Sequence, residues 1–174
     1  MIRNVEIKAH CLDTDSIRAI LTELGSDCKG VDHQIDTYFQ VNEGRLKLRQ
    51  GNIENALIFY RRPDQAGPKQ SDVILYPTTD AESLLSLMEA SFDVLVRVDK
   101  MREIHYIENV KFHLDEVRGL GTFVEIEAID LDGSLGSDQL LDQCQHYLQL
   151  FNIKDSDLLK DSYSDQLLKK GDGW

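Results

Sequence analysis

The sequence predicts an α+β protein: about eight antiparallel strands flanked by helices, with a helical C-terminus. Three observations carry this. Runs in which apolar and polar residues alternate with a period of two recur along the chain. Most are joined by turns too short to hold a crossover helix. Helical spacing is confined to residues 13–25, 79–91 and the stretch beyond 137.

The first run, 2–10, sets Asn4, Glu6, Lys8 and His10 on one face and Val5, Ile7 and Ala9 on the other. Residues 13–25 follow as a helix, with capping residues at the start, Ile17, Ile20, Leu21 and Leu24 at helical spacing, and Gly25 as a stop. QIDTYFQV (34–41), RLKLRQ (45–50) and ALIFYRR (56–62) read as strands separated by the turns NEG and GNIEN. PDQAGP (63–68) is a loop by composition, QSDVILYP (70–77) a strand and 79–91 a capped helix. Three more strands come from VLVRVDKMREIHYI, VKFHLDEV and GTFVEIEAIDL, with turns at 108–109 and 118–121. The segments 137–151 and 155–170 read as helices covering the sheet, and GDGW (171–174) as a frayed tail, so residues 1–170 are expected to form one domain.

With 174 residues and a formal net charge of -12, the chain lacks the basic footprint of a general nucleic-acid binder. No apolar run approaches the roughly 18 residues of a membrane span, and the N-terminus has no signal-peptide core. Cys11, Cys28 and Cys144 match neither a zinc pattern nor a disulfide framework, so reduced thiols and a cytoplasmic location are expected.

The polar faces are unusual for wet surface. GRLKLRQ aligns Arg45, Lys47 and Arg49 on one side of a short strand. The neighbouring runs align Gln34, Asp36 and Tyr38; Tyr60 and Arg62; Lys100 and Arg102; Lys111, His113 and Asp115; and Glu125 and Glu127. An open sheet with one solvated face accounts for any one of these strands. Taken together, however, they would set like charges side by side, which destabilises a sheet. A sheet closed into a barrel, its charged faces converging on a polyanionic ligand, resolves the conflict. Seven inward cations (Lys8, Arg45, Lys47, Arg49, Arg62, Lys100 and Arg102) then need external negative charge. The carboxylates need divalent cations, and a polyphosphate with Mg²⁺ or Mn²⁺ answers both demands.

NVEIK (4–8), QIDTYF (34–39), GRLKLR (44–49), LIFYRRPD (57–64), GPKQSD (67–72), DKMREIHY (99–106), HLDEVRGLGTFVEIE (113–127) and YSDQLL (163–168) occur in the order of the CYTH superfamily motifs. The chain thus resembles the class IV adenylyl cyclases, thiamine triphosphatases and related triphosphate tunnel metalloenzymes. The resemblance implies an eight-stranded antiparallel tunnel that binds a triphosphate, with metal held by acidic side chains at one end. It assigns Glu6, Glu125, Glu127 and Asp115 to metal, and Lys8, Arg45, Lys47, Arg49, Arg62, Lys69, Lys100 and Arg102 to triphosphate. Lys8 has a second reading as the group that deprotonates the nucleophile. The first acidic position of the ExExK signature is Asn4 here, one negative charge fewer at the metal end.

Asp36, Tyr38, Tyr60 and His113 read equally as wall residues or as substrate contacts. His10, His33, His105 and His146 read as surface or boundary residues, and Gly119 with Gly121 as a bulged turn. The expected partner is a small triphosphate such as ATP, thiamine triphosphate or tripolyphosphate, with no nucleic acid or membrane involved. Hydrolysis, cyclisation of ATP to cAMP and pyrophosphate, and non-catalytic polyphosphate binding all stay open, as does the oligomeric state, a homodimer included.

Overall fold

A computed structural model describes residues 2–61 and 67–171. Its strands are β1 (Ile2–His10), β2 (Asp27–Phe39), β3 (Arg45–Gln50), β4 (Ala56–Arg61), β5 (Lys69–Pro77), β6 (Val94–Ile107), β7 (Val110–Val117) and β8 (Gly121–Asp130). They close into an antiparallel barrel in the order β1-β5-β4-β3-β2-β6-β7-β8, with β8 pairing back on β1. Four α-helices accompany it: α1 (Thr14–Glu23), α2 (Ala81–Ser91), α3 (Ser137–Leu150) and α4 (Tyr163–Lys170). None of the described helices is long and apolar enough to cross a membrane.

The polar faces of β1, β2, β3, β6, β7 and β8 point inward, while β4 and the later part of β5 line the lumen with Ala56, Ile58, Val73 and Leu75, and the main hydrophobic core lies outside the barrel. Val5, Ile7 and Ala9 of β1, Phe112 and Leu114 of β7, and Val124, Ile126 and Ala128 of β8 pack under Ile17 and Leu21 of α1 and Leu140 and Cys144 of α3. A smaller cluster joins Leu46, Leu48 and Leu57 to Leu84, Leu85 and Met88 of α2. α1, α2 and α3 therefore bury their apolar stripes on the outer side of the barrel wall. Arg61 points outward, as its parity predicts: it is exposed, pairs with Glu43 and lies over the Phe59 ring.

Several boundaries differ from the sequence reading. β2 begins at Asp27, well before Gln34. Its first half is polar on both faces, and a bulge between Cys28 and Gly30 interrupts the alternation that would betray it. The expected helix 155–170 is instead a single 3₁₀ turn (Asp155–Asp157), an extended stretch and α4. Leu158 bridges to Ala9 there, and Leu159 N–H donates to the Lys8 carbonyl. Lys69, one residue before the expected strand, starts β5, and Gly171 is the left-handed C-cap of α4. His105, expected near the surface, is 3% exposed. Arg62 and most of the 63–68 loop lie outside the described residues, as does 172–174.

α4 enters one end of the barrel. Tyr163 and Leu167 pack against Val96, Val98, Val117 and Phe123, which are inward residues of β6, β7 and β8. Its start is fixed by a capping box: Ser162 Oγ accepts from the Asp165 amide, and Asp165 Oδ2 accepts from the Ser162 amide. Ser162→Ala should therefore cost about 1 kcal/mol. Faster amide exchange in α4, with exchange in β1–β8 unchanged, is the expected reading; uniform exchange would show that the box does not anchor the plug.

Candidate functional site

A cavity of about 470 Å³ occupies the barrel lumen. Among the described residues, six cationic side chains border it (Lys8, Lys47, Arg49, Lys100, Arg102 and Lys111), together with five acidic ones (Glu6, Asp36, Glu54, Glu125 and Glu127). Tyr38, Tyr60, His113 and Tyr163 are among the other polar residues that line it. Closure makes this possible: residues two apart on one strand share the lumen, and cross-strand pairs bring opposite charges into register.

One cluster is centred on Asp36, which is 1% exposed. Its carboxylate accepts from Lys47 at 2.8 Å, from Lys100 at 2.7 Å, and from Arg49 through Nε at 2.9 Å and Nη2 at 3.1 Å. Burial opposes ionisation of Asp36, but Arg49, Lys100 and Lys47 outweigh it and hold the carboxyl well below the usual range. The same crowding acts on Lys100. Burial lowers its pKa to about 7, against the pull of Asp36. Tyr38, also buried, is pushed up to about 12 and stays a neutral hydroxyl at pH 7.

A second cluster lies against α4. Arg102 donates to both oxygens of Asp115, at 2.7 and 2.5 Å, and to Glu125 at 3.0 Å. Lys8 pairs with Glu125 at 2.6 Å and stands 3.4 Å from the centre of the Tyr163 ring, whose hydroxyl donates to Asp115 at 2.8 Å. Burial lowers the Lys8 pKa, with Glu125 opposing. Burial opposes ionisation of Glu125, yet Arg102 and Lys8 hold it well below the usual range. His113 Nδ1 lies 2.9 Å from Glu125. Burial, reinforced by Arg102, lowers the His113 pKa to about 4, so the ring is neutral at pH 7.

Toward the other side of the lumen, Glu6 and Glu127 face each other across β1 and β8, with Lys111 opposite Glu127 on β7. Asn4 donates its amide to Glu127. The Asn4 carbonyl oxygen is buried and has no hydrogen-bond partner among the described residues, and the same holds for His113 Nε2. Two carboxylates beside an unsatisfied amide oxygen form an oxygen donor set of the kind hard divalent cations take. The residues at this end therefore fit Mg²⁺ or Mn²⁺.

The structure thus gathers Lys8, Lys47, Arg49, Lys100 and Arg102 on one cavity with Glu6, Glu125 and Glu127. Asp115 stands behind Arg102, both of its oxygens engaged by Arg102 and one also by Tyr163. Arg45 and Lys69 instead tie down the C-terminal segment: Arg45 pairs with Asp165 at 3.0 Å, and Lys69 donates to the carbonyls of Leu159 and Lys160. The expectation that the inward cations lack internal counter-charge is corrected, because Asp36, Glu54, Asp115 and Glu125 partner most of them.

Glu54 escaped the sequence reading, and Lys111, though aligned with His113 and Asp115, was not assigned to the site. Asp32 accepts from the amides of Ile53 and Glu54 and from Gln34, which folds the GNIEN loop so that Glu54 reaches Arg49 at 3.0 Å and also Lys111. Gly51 is required there, since a Cβ would come within 2.7 Å of both Asp32 oxygens. Burial opposes ionisation of Glu54, but Lys111 and Arg49 prevail and hold it below the usual carboxylate range. The one available signal was Lys111, an inward lysine that needs a partner.

The CYTH domain model matches residues 3–163. A Methanocaldococcus jannaschii protein provisionally named an adenylate cyclase is 26% identical over 169 residues, spanning 91% of this chain and 95% of its own. Among solved structures, a Pyrococcus horikoshii protein superposes with a TM-score of 0.79 at 21% identity, covering 93% of this chain and 98% of its own. A Hippeastrum protein, provisionally an adenylyl cyclase and described as having a dominant triphosphatase activity, gives 0.65 at 14% identity, covering 98% of this chain and 96% of its own.

Removing the charge of Asp36 should leave three buried cations without their shared counter-ion. Asp36→Asn is expected to cost about 3–5 kcal/mol in urea denaturation. Wild-type stability would show that Lys47, Arg49 and Lys100 find other partners or lose their charge at no cost.

Proposed function

Because the chain belongs to the CYTH family, we propose that it is an enzyme that cleaves a P–O–P bond of a small triphosphate, assisted by Mg²⁺ or Mn²⁺. The observation that carries this reading is the convergence of Lys8, Lys47, Arg49, Lys100 and Arg102 on one cavity that Glu6 and Glu127 of β1 and β8 also line. A triphosphate supplies the negative charge that would replace the internal carboxylates as partners of these cations. Guanidinium groups grip phosphate oxygens through two parallel donors, and Arg49 and Arg102 already present that fork to Asp36 and Asp115.

Each side chain then has a role. Lys47, Arg49 and Lys100 hold and orient the phosphate chain. Arg102, set by Asp115 and Tyr163, stabilises charge that develops on the phosphoryl oxygens. Lys8, lowered in pKa and held by Glu125 beneath Tyr163, either binds phosphate or accepts the proton of the attacking hydroxyl at Nζ. Glu6 and Glu127, with the Asn4 carbonyl, would hold the metal, whose contribution when bound is Lewis-acid polarisation and neutralisation of phosphate charge; Glu125, both oxygens engaged by Lys8, Arg102 and His113, would join them only after giving up one of those partners. α4 excludes water from one end. Attack by water gives hydrolysis; attack by the ribose 3′-hydroxyl of ATP gives cyclisation, and the same clamp serves either. The test is turnover of ATP, thiamine triphosphate and tripolyphosphate with Mg²⁺ and with Mn²⁺, the products resolved chromatographically. No metal-dependent turnover of any of them, alongside retained binding, would favour a non-catalytic polyphosphate binder.

Arg49→Ala should weaken tripolyphosphate binding by about 2–5 kcal/mol in calorimetry, the cost of truncating a buried charge partner. Unchanged affinity would remove β3 from the site. Asn4→Glu should replace an amide donor to Glu127 with a like charge. The metal-free variant is expected to melt lower than wild type, and added Mn²⁺ should raise its melting temperature more than it raises that of wild type. Equal metal responses in the two proteins would place Asn4 outside the coordination shell.

A further inference from the structure

We infer a second metal site, on the outer wall of the barrel, formed by Cys28, Glu103 and His105 and suited to a zinc-like transition-metal ion. Among the described residues these three are the set of His, Cys, Asp or Glu side chains whose ligand atoms all lie within 4.8 Å of one another. They share no residue with the lumen, and the sequence spacing of the cysteines gives no hint of them.

The β2–β6 ladder builds the site by an irregularity. Val31 pairs with Glu103 and Gly30 with Ile104, so a regular ladder would next set Lys29 opposite His105. The bulge between Cys28 and Gly30, with Gly30 at a φ of 104°, skips Lys29 and sets Cys28 opposite His105 instead. Glu103, two residues from His105 on the same strand, shares its face. A thiol thereby stands where an ammonium would have faced the imidazole.

The surroundings orient the donors as metal sites require. His105 Nδ1 is 3.0 Å from Ser26 Oγ, and Nε2 is 2.8 Å from Glu103 Oε1. Without metal, a proton on Nε2 bridges to Glu103 while Ser26 donates to Nδ1. With metal, that proton moves to Nδ1 and is donated to Ser26, since a hydroxyl serves in either direction. Nε2 then offers its lone pair, and the Cys28 thiol releases its proton on coordination. Arg18 pairs with Glu103 through Nε at 3.0 and 2.9 Å and through Nη2 at 2.8 Å, holding the carboxylate as a hydrogen-bonded ligand is usually held. His105 is buried and Cys28 exposed, which gives three protein ligands with solvent at the fourth position. A thiolate with an imidazole selects zinc-like ions over Mg²⁺.

Cobalt tests this without reference to the lumen, whose lining contains no cysteine. Titrating the reduced protein with Co²⁺ in excess Mg²⁺ should produce a thiolate-to-cobalt charge-transfer band in the near ultraviolet, saturating at one equivalent per chain and erased by Zn²⁺. Cys28→Ser should abolish the band, Cys11→Ser should leave it intact, and Glu103→Gln should weaken Co²⁺ binding by about tenfold or more. A wild type without the band, a band that survives Cys28→Ser, or unchanged affinity in Glu103→Gln would overturn the site.

Discussion

Asp36 receives Lys47, Arg49 and Lys100 at once, and the closed barrel depends on that contact. Any one of these cations buried alone would cost several kcal/mol in desolvation. Three strands, β2, β3 and β6, deliver the four side chains to one point, so the ladder that closes the sheet also neutralises its interior. The Arg102–Asp115–Glu125–Lys8 cluster repeats the solution on β1, β6, β7 and β8. Between the two clusters the lumen stays open and charged instead of filling with apolar side chains.

That choice relocates the hydrophobic core. A strand with a charged inner face must find its apolar burial on the outside, which explains why α1 and α3 cover β1, β7 and β8 and why α2 covers β3 and β4. Apolar residues enter the lumen on β4 and β5, through Ala56, Ile58, Val73 and Leu75, and where α4 plugs it, and there Tyr163 brings a hydroxyl to Asp115 and a ring face to Lys8. The C-terminal helix is therefore part of the site's electrostatics as well as its lid. Arg45 and Lys69 serve the same closure by holding the segment that carries it.

Much of the site was legible because alternation is a strong signal. Parity placed Glu6, Lys8, Asp36, Lys47, Arg49, Lys100, Arg102, Glu125 and Glu127 on the inner face, and all nine border the cavity. Parity does not see what sits above or below a face. Arg45 and Lys69 have inward parity yet meet the C-terminal segment, whose extended stretch gave no periodic signal. Glu54 belongs to a turn, so its arrival beside Arg49 and Lys111 depends on hydrogen bonds to Asp32 that span some twenty residues. His105 was misjudged for a related reason: its burial comes from the early half of β2, which the Cys28 bulge concealed.

The two donor sets sort metals by chemistry rather than by place. The lumen offers carboxylates and an amide carbonyl, hard oxygen ligands of the kind suited to Mg²⁺ or Mn²⁺. Its histidine, His113, is buried and neutral, but its near neighbour Glu125 already engages Lys8 and Arg102, so a soft ion gains little there. The outer wall offers a thiol and an imidazole, where a zinc-like ion outcompetes magnesium. The bulge that brings these donors together leaves the register of the lumen-facing half of β2 intact, because Lys29, the residue it skips, is on the solvent side.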